Sequence, residues 1–422
     1  MSKEEKVKGG RLANLKVYIL TFSKWLGIAV LIGGICGLIG TAFYKCVAGA
    51  TALRAQYPWL IYGLPLGGLM IVGLYRLGGM KEDPGTDAVL SSVHSDFRLP
   101  FTMAPLIFIS TTLTHLFGGS AGREGAALQI GGSVGVTTGR LLKLPEEDHS
   151  ELTMCGMSAL FSALFGTPIT AMIFSMEVIS VGIFHYGALV PCMLSSLIAL
   201  LVTQAFGIQG EHFVISQLPQ TGALTLIRVM ILAALCALLS IVFCVFMHRS
   251  RKLFKKLMPN PWLRAAVGGV VLIGLTLLVG SQDYNGAGMQ IVEKAIEGEA
   301  RPEAFALKLL FTMITLGCGF KGGEIVPSFF IGATFGCVMG SLLGLPPGFG
   351  AAIGLISVFC GAVNCPLASM ILSVELFGAD RLLLFGISCA ISYALSGYFG
   401  LYGTQKILYS KIRTKYINRF TE

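Results

Sequence analysis

The stretch PITAMIFSMEV at residues 168–178 returns as PLASMILSVEL at residues 366–376, with five of eleven positions identical at an offset of 198. A second match pairs IGGSVG at residues 130–135 with IGATFG at residues 331–336, at an offset of 201. Similar offsets in two separate segments indicate an internal duplication. The predicted repeats cover approximately residues 25–215 and 222–415.

The composition predicts a membrane protein. Of the 422 residues, 54% are hydrophobic and 13% are charged, with 54 glycines and a mean hydropathy of +0.76. Several runs with few or no charges approach or exceed the length of a bilayer crossing, which is about 20 residues. They lie at residues 26–47, 57–75, 229–247 and 265–280. No other stretch is long enough for a soluble domain, so residues 1–422 are predicted to form one integral membrane domain.

Basic residues are concentrated near both ends of the chain, which has a net charge of +9. By the positive-inside rule, both termini are expected in the cytoplasm. The basic residues are scattered and flank apolar runs, so nucleic acid is not an expected partner. The first residues carry no apolar signal core, so no cleaved signal peptide is expected.

The 11 cysteines lack paired spacing and are interpreted as small hydrophobic residues, and no metal or cofactor site is predicted.

Some apolar segments are predicted to be too short to cross a bilayer, including residues 126–136 and 366–376. In each half a glycine-rich turn opens one helix, and a proline opens another roughly 40 residues later. Transporters with internal repeats commonly hold their substrate between the N-termini of such broken helices. Helix N-termini present free N–H groups and about half a positive charge, so the ligand that suits them is an anion.

A carboxylate lies among glycines in each half, in GREGA at residues 122–126 and in GGEIVP at residues 322–327. A charge at bilayer depth costs at least about 2.5 to 3.5 kcal/mol, so an intramembrane glutamate indicates a function. We predict that Glu124 and Glu324 belong to a transport site. The neighbouring glycines are expected to allow positive φ and a close approach of the backbone to an ion. They are Gly122, Gly125, Gly322 and Gly323.

Four motifs along the chain carry a family resemblance. They are GREG at residues 122–125 followed by Gly131, FGTP at residues 165–168 leading to Glu177, the turn from Gly323 to Pro327, and LYS at residues 408–410. Their types and order resemble the CLC family of anion channels and anion/proton antiporters, over nearly the whole chain. The resemblance implies an all-α polytopic fold with an inverted repeat, broken and re-entrant helices, and a homodimer in the lipid bilayer. No cytoplasmic regulatory domain is expected.

The resemblance also assigns roles to single residues. Glu124 matches the gating glutamate, which occupies the anion pathway when ionised and swings aside when protonated. Tyr409 matches the tyrosine whose hydroxyl faces the anion from the inner side. The backbone amides that match those facing the ion are near Gly125, Ala126, Ile325 and Val326.

Three departures from the family pattern resemble its fluoride-exporting branch. The loop that carries an anion-coordinating serine in chloride-type members reads GMKEDPGTD here, at residues 79–87. The anion-binding candidates of this loop are Met80, in the place of the serine, Gly85 and Thr86. Glu324 stands where chloride-type members have an apolar residue. Val178 stands where chloride/proton antiporters often carry an internal proton-transfer glutamate.

A physical argument connects these departures. Fluoride is smaller and more strongly hydrated than chloride, so a dry pathway must replace its water with strong hydrogen-bond donors or a proton. We expect a secondary antiporter of the prokaryotic inner (plasma) membrane that exports fluoride against protons, with Glu124 as gate and proton carrier and Glu324 as internal proton or fluoride partner. A chloride/proton antiporter and a passive anion channel remain alternatives. An enzyme is disfavoured because no Ser/His/Asp set, nucleotide loop or zinc motif appears.

Other polar residues have simpler interpretations. Glu177 and Glu375 occupy equivalent positions of the two repeats, which favours helix packing or capping over transport. Arg123 could hold an acidic side chain, orient its loop or merely mark the membrane interface, and His115 is a minor site candidate near the first glycine turn. Three aromatic residues flank the second turn and could line the pathway: Phe320, Phe329 and Phe330.

Overall fold

A computed structural model describes residues 11–80, 85–94 and 99–422 of the protein. The basic residues among the first ten positions, and residues 81–84 of the loop that contains Met80, lie outside the described residues. Within the described ranges the chain folds into sixteen α-helices and three short strands. The helical fold predicted from the sequence is confirmed.

The helices of the first half precede residue 206. They are α1 (Arg11–Gln56), α2 (Leu64–Leu77), α3 (Gly85–His94), α4 (Met103–Phe117), α5 (Glu124–Leu141), α6 (His149–Phe165), α7 (Pro168–Glu177) and α8 (Leu189–Ala205). The helices of the second half are α9 (Ala223–Leu257), α10 (Pro261–Val279), α11 (Met289–Glu297), α12 (Ala304–Gly317), α13 (Ile325–Leu342), α14 (Pro347–Val363), α15 (Pro366–Phe377) and α16 (Leu382–Leu395).

Among the described residues, six helical segments are long and apolar enough to cross a membrane. They are Tyr18–Gln56, Pro58–Leu77, Tyr186–Ala205, Ala223–Leu257, Pro261–Val279 and Ile325–Leu342. The apolar helix Pro366–Phe377 has 12 residues and is too short to cross, as predicted. The segment 126–136 belongs instead to a helix of 18 residues, α5. The polar residues that follow position 136 continue this helix, and the hydroxyl of Thr138 bonds back to the carbonyl of Val134 at 2.8 Å.

The eight helices of the second half repeat the order of the first eight. Helices α5 and α13 each have 18 residues and begin at positions 124 and 325. Helices α6 and α14 each have 17 residues. Helices α7 and α15 both begin at a proline, which is tolerated there because its missing N–H would be unpaired anyway. The match therefore extends beyond the two sequence segments that first indicated a duplication.

Two glutamates show that the repeated helices run in opposite directions. Glu177, the last residue of α7, accepts hydrogen bonds of 3.1 and 2.8 Å from two N–H groups in the first turn of α15. Glu375, near the end of α15, accepts bonds of 3.0 and 2.8 Å from two N–H groups in the first turn of α7. Each carboxylate stabilises the N-terminus of the other helix. The predicted capping role is confirmed, and so is the inverted relation of the repeats.

Glycines allow the buried helices of each half to pack backbone against backbone. A Cβ added to Gly131 of α5 would lie 2.2 Å from the carbonyl oxygen of Gly156 in α6. The second half repeats this contact, because a Cβ on Gly332 of α13 would lie 2.5 Å from the carbonyl oxygen of Gly354 in α14. These contacts fix α5 and α13, whose N-termini form the candidate site, within each half.

A small sheet near the C-terminus adds to the helical fold. Its strands are β1 (Ser180–Val181), β2 (Lys406–Tyr409) and β3 (Tyr416–Phe420), in the order β1-β2-β3. Strand β1 pairs in parallel with β2, and β2 pairs in antiparallel with β3. The buried side-chain amide of Gln405 donates to the carbonyls of Val178 and Val363, each at 2.9 Å. The C-terminal segment thereby joins the ends of one helix from each half.

Candidate functional site

The N-termini of α5 and α13 lie beside each other at a short antiparallel bridge. The N–H of Gly122 donates to the carbonyl of Gly323 at 2.8 Å, and the N–H of Gly323 donates to the carbonyl of Gly122 at 2.7 Å. Both glycines precede the first turn of a helix. Because the first N–H groups of a helix have no acceptor within the helix, the bridge brings two positively polarised helix ends together.

The predicted amide positions are therefore brought to one place. They are Gly125 and Ala126 in the first turn of α5, and Ile325 and Val326 in the first turn of α13, and all four are buried.

Glycine is required at this bridge because the two backbones touch. A Cβ on Gly125 would lie 2.8 Å from the Cα of Gly323, and a Cβ on Gly323 would lie 2.3 Å from the nitrogen of Gly125. Of the four glycines expected to allow a positive φ, Gly322 has one, at 157°, whereas Gly122, Gly125 and Gly323 do not. At those three positions the absence of a side chain serves the close contact between the two loops instead.

Glu124 covers the N-terminus of its own helix. It is the first residue of α5 and is 1% exposed. One carboxylate oxygen accepts a hydrogen bond from the backbone N–H of Arg123 at 2.9 Å, and the other lies 3.4 Å from the Nε of Arg123. The same guanidinium bonds to Glu211 at 3.2 Å and lies over the ring of Tyr44. Arg123 therefore contacts two acidic side chains, which agrees with the first of the three roles considered for it.

Glu324 points away from its own helix. It is the N-cap residue of α13, but its side chain makes no capping hydrogen bond. Its carboxylate pairs instead with the guanidinium of Arg251, near the end of α9. One of its oxygens lies 3.5 Å from the position that a Cβ on Gly125 would take. A carboxylate of the second half thus reaches the first helical turn of the first half.

A cavity of about 250 Å³ opens on the Glu324 side of the bridge. Its charged lining is mainly basic. The basic residues are Arg76, Arg251, Lys255, Arg264 and Lys321, and the acidic residues are Asp87 and Glu324. Of the three aromatic candidates, Phe320 lines this cavity. Phe329 and Phe330 pack instead against other buried aromatic rings in the core.

The tyrosine of this site is not the predicted one. Tyr409 lies on β2, is 46% exposed and packs against Tyr416. Tyr402 lines the cavity, is 2% exposed, and its hydroxyl has no hydrogen-bond partner among the described residues. The cavity is therefore lined by Tyr402 and not by Tyr409, because β2 carries Tyr409 to the surface. Glycines on either side of the Leu401–Tyr402 pair are the sequence signal that could have identified it.

The predicted loop residues divide between the cavity and the core. Gly85 and Thr86 begin α3 and line the cavity. The hydroxyl of Thr86 lies 3.4 Å from a backbone carbonyl in the first turn of α5 and 3.3 Å from the side-chain nitrogen of Gln129. Met80 does not line the cavity; it packs against the core, with its sulfur 3.9 Å from the hydroxyl of Thr102. Thr86 is therefore the better placed of these candidates.

One predicted candidate lies outside the cavity, and one cavity residue was not predicted. His115 is buried in α4, where its Nδ1 bonds to the carbonyl of Thr111 at 2.9 Å, and it does not line the cavity. Arg251 was not anticipated. It belongs to a basic stretch, residues 249–256, that continues an apolar run and so has the pattern of a solvated helix end.

The assembled site suits an anion that exchanges with a carboxylate. Two helix N-termini offer N–H donors, and Thr86 and Tyr402, which carry hydroxyl groups, line the cavity. An ionised carboxylate at a helix N-terminus competes with an anion for the same donors. A protonated carboxylate no longer repels the anion and can donate a hydrogen bond to it. Anion and proton occupancy are therefore linked by this geometry.

Comparisons with known proteins agree with this arrangement. Residues 67–397 match the family model described as voltage gated chloride channel. The chain is 34% identical over 396 residues to the chloride/fluoride channel protein of Pseudomonas syringae pv. tomato, a match that covers 92% of this chain and 88% of that protein. It is 24% identical over 388 residues to an H(+)/Cl(-) exchange transporter of Vibrio campbellii, covering 83% and 81% of the two chains.

Solved structures give the same result. A CLC-type fluoride/proton antiporter is similar with a TM-score of 0.87 and 30% identity, covering 91% of this chain and 98% of that one. A slow cyanobacterial Cl−/H+ antiporter shares the fold, with a TM-score of 0.75 at 19% identity over 88% and 94% of the two chains. With its inverted helix pairs, bridged helix N-termini and a family match over most of its length, the chain belongs to the CLC family.

Proposed function

We propose that this protein is a fluoride/proton antiporter that exports fluoride from the cytoplasm, driven by the inward proton gradient. The observation that carries the proposal is the bridge between α5 and α13, where two helix N-termini meet and each turn carries a carboxylate. The names of two similar proteins support fluoride as the anion: one is a chloride/fluoride channel protein and the other a CLC-type fluoride/proton antiporter.

In this proposal Glu124 is the gate and the proton carrier. Ionised, it lies over the N-terminus of α5 and against Arg123, where it excludes an anion. Protonation weakens its attraction to Arg123 and to the helix end. The carboxyl group then leaves the helix N-terminus, and fluoride takes its place against the free N–H groups.

Glu324 is the internal proton or fluoride partner. It lies at the wall of the basic cavity and next to the first turn of α5. A carboxyl group there can take a proton from the gate side and release it into the cavity. The remaining anion contacts come from the amides of Gly125, Ala126, Ile325 and Val326 and from the hydroxyls of Thr86 and Tyr402.

The membrane arrangement follows from the charges. Basic residues concentrate on the cytoplasmic side of membrane proteins. We therefore place the basic cavity and both termini on the cytoplasmic side. The protein is proposed to be a multi-pass homodimer of the inner membrane. Each subunit has one transport domain, built from repeats at approximately residues 25–215 and 222–415.

A passive anion channel is the second candidate, since one relative is named as a channel protein. Chloride is the alternative anion. Purified protein in liposomes separates these functions when fluoride or chloride efflux and proton movement are recorded together.

Fluoride efflux that drives proton uptake against a gradient, with much slower chloride efflux, is the expected result. Fluoride efflux without proton movement would establish a channel instead. Comparable coupled movement of both anions would overturn selectivity for fluoride. Protein-free liposomes give the leak that must be subtracted.

A further inference from the structure

The basic cavity is lined on one side by the ends of three helices that are long and apolar enough to cross a membrane. Arg76 lies in the last turn of α2, Lys255 in the last turn of α9 and Arg264 in the first turn of α10. Residues 76–77, 249–257 and 261–264 are called the rim below. Basic and aromatic residues at the ends of membrane-crossing helices lie at the level of the lipid headgroups.

The rim carries exposed leucines beside its basic residues. Leu77 follows Arg76 and is 89% exposed, and Leu263 precedes Arg264 and is 54% exposed. Leu257, the last residue of α9, is 64% exposed. An amphiphile needs polar and apolar surfaces next to each other, because its headgroup and its acyl chains are joined. The rim offers both on all three helices.

The two arginines of the rim are held by neutral groups. The guanidinium of Arg76 lies over the ring of Trp262, 5.2 Å from its centre. Two residues further along α10, the Nη1 of Arg264 donates to the carbonyl of Met258 at 3.3 Å. Partners of this kind orient a guanidinium without neutralising its charge. The Nε of Arg264 is buried and has no hydrogen-bond partner among the described residues, so an acceptor from outside the protein would satisfy it.

The two acidic residues that line the described part of the cavity have other partners. Glu324 pairs with Arg251, and Asp87 accepts from the backbone N–H and the hydroxyl of Thr404. Helix α10 begins at Pro261, which also lines the cavity, and its N-terminus adds a partial positive charge. An acceptor that suits arginine side chains and a helix N-terminus together is a phosphate group.

We propose that the rim binds the phosphate group of an anionic phospholipid at Arg76 and Arg264, with the acyl chains along the exposed leucines. A lipid is favoured over free phosphate because only a lipid would also cover the leucines. A zwitterionic lipid brings its own cation, which the basic rim repels. The inference goes beyond the proposed exchange of fluoride and protons, since it requires only that the three helices lie in a membrane.

The experiment measures which lipid lies next to Trp262, one of three tryptophans in the chain. Trp25→Phe and Trp59→Phe make it the only fluorescent reporter in the full-length parent protein. Liposomes of phosphatidylcholine contain a minor fraction of brominated phosphatidylglycerol or of brominated phosphatidylcholine, whose bromine quenches a tryptophan in contact. Each basic residue near a membrane strengthens anionic lipid binding about fivefold, so two arginines should give phosphatidylglycerol a preference on the order of twentyfold.

Two variants of the parent protein locate the site. Arg264→Gln should lower the preference for phosphatidylglycerol about fivefold, since it removes one of the two charges. Arg228→Gln is the matched control, because it removes an arginine at the other end of α9, where the side chain bonds to the carbonyl of Gly344. The preference should not change in this control.

Equal quenching by the two brominated lipids in the parent protein overturns the proposal, and so does an unchanged preference in Arg264→Gln. If Arg264→Gln does not fold, the parent protein decides: sodium gluconate at high ionic strength should weaken the preference, and a preference that salt leaves intact overturns the proposal. Inorganic phosphate that removes the preference more effectively than gluconate of equal ionic strength would make the rim a site for free phosphate instead. The measurement uses no fluoride and no proton gradient, so its result is separate from any test of transport.

Discussion

Two pairs of glutamates differ in how they relate to the repeated fold. Glu177 and Glu375 lie 198 positions apart, the offset of their repeats, and each accepts two N–H bonds from the helix that the other belongs to. Glu124 and Glu324 lie 200 positions apart, whereas their helices begin 201 apart. Glu177 and Glu375, at equivalent positions of the two repeats, therefore make the same contact twice. Glu124 and Glu324, which are shifted by one residue relative to the repeats, make different contacts.

The shift of one residue has a large geometric effect. Glu124 is the first residue of α5, while Glu324 is the residue before α13. One residue turns a side chain by about 100° around a helix axis. Glu124 therefore folds over its own turn beside Arg123, and Glu324 reaches across to Gly125 and Arg251. The duplicated scaffold thus presents one carboxylate to each side of the bridge.

The strongest test of this difference is Glu124→Gln. The amide has nearly the shape of a protonated carboxyl group, but it cannot ionise and so cannot carry a proton through the cycle. Fluoride-driven proton flux in liposomes should fall by about a hundredfold or more, since proton transfer through a positioned group contributes that much. Fluoride movement without protons should remain. Proton flux at the wild-type rate would reject Glu124 as the gate.

The bridge itself is tested by Gly323→Ala. The new Cβ would lie 2.3 Å from the nitrogen of Gly125, so the two turns must separate. Overpacking of this kind costs about 1 to 3 kcal/mol or more, and the unfolding temperature in detergent should fall. Gly274→Ala is the matched control, because a Cβ there meets nothing within 4 Å. Equal stability of the two variants would contradict the close contact.

The sequence predicted the scaffold better than the site. The offsets, the prolines and the matching glutamates were sufficient to predict a duplicated fold, because these features are local and occur twice, and the family resemblance implied that the two repeats are inverted. Tyr402 and Arg251 were missed because a cavity gathers residues from distant segments. Nothing local distinguishes Arg251 from the other basic residues at the end of α9, or shows that Tyr409 is carried outward by a strand.

Glu177 and Glu375 occupy equivalent positions of the two repeats, so the same substitution should have the same effect on stability at both positions. Glu177→Gln and Glu375→Gln each remove the charge from one helix cap while keeping a side chain of similar size. Each should cost about 1 to 2 kcal/mol, the usual contribution of a cap, and the two losses in unfolding temperature should agree. Fluoride-driven proton flux, measured on the folded fraction, should be retained in both. A much larger loss of proton flux in one variant would give that acid a separate transport role.

The smallest expected effect comes from Glu211→Gln, which tests how Arg123 holds the gate. Arg123 is shared between Glu124 and Glu211, and the side chain of Glu211 is 23% exposed. Without the competing charge, Arg123 attracts Glu124 alone and holds the gate over the helix N-terminus more strongly. Because the pair is only part-buried and water still screens it, its contribution should stay at about the 0 to 1 kcal/mol of solvent-screened pairs, and fluoride-driven proton flux should fall by about twofold to fivefold. Glu297→Gln, an exposed acid on α11, should change nothing. A faster flux in Glu211→Gln would mean that Glu211 strengthens the hold of Arg123 on the gate, so the two carboxylates would not compete for it.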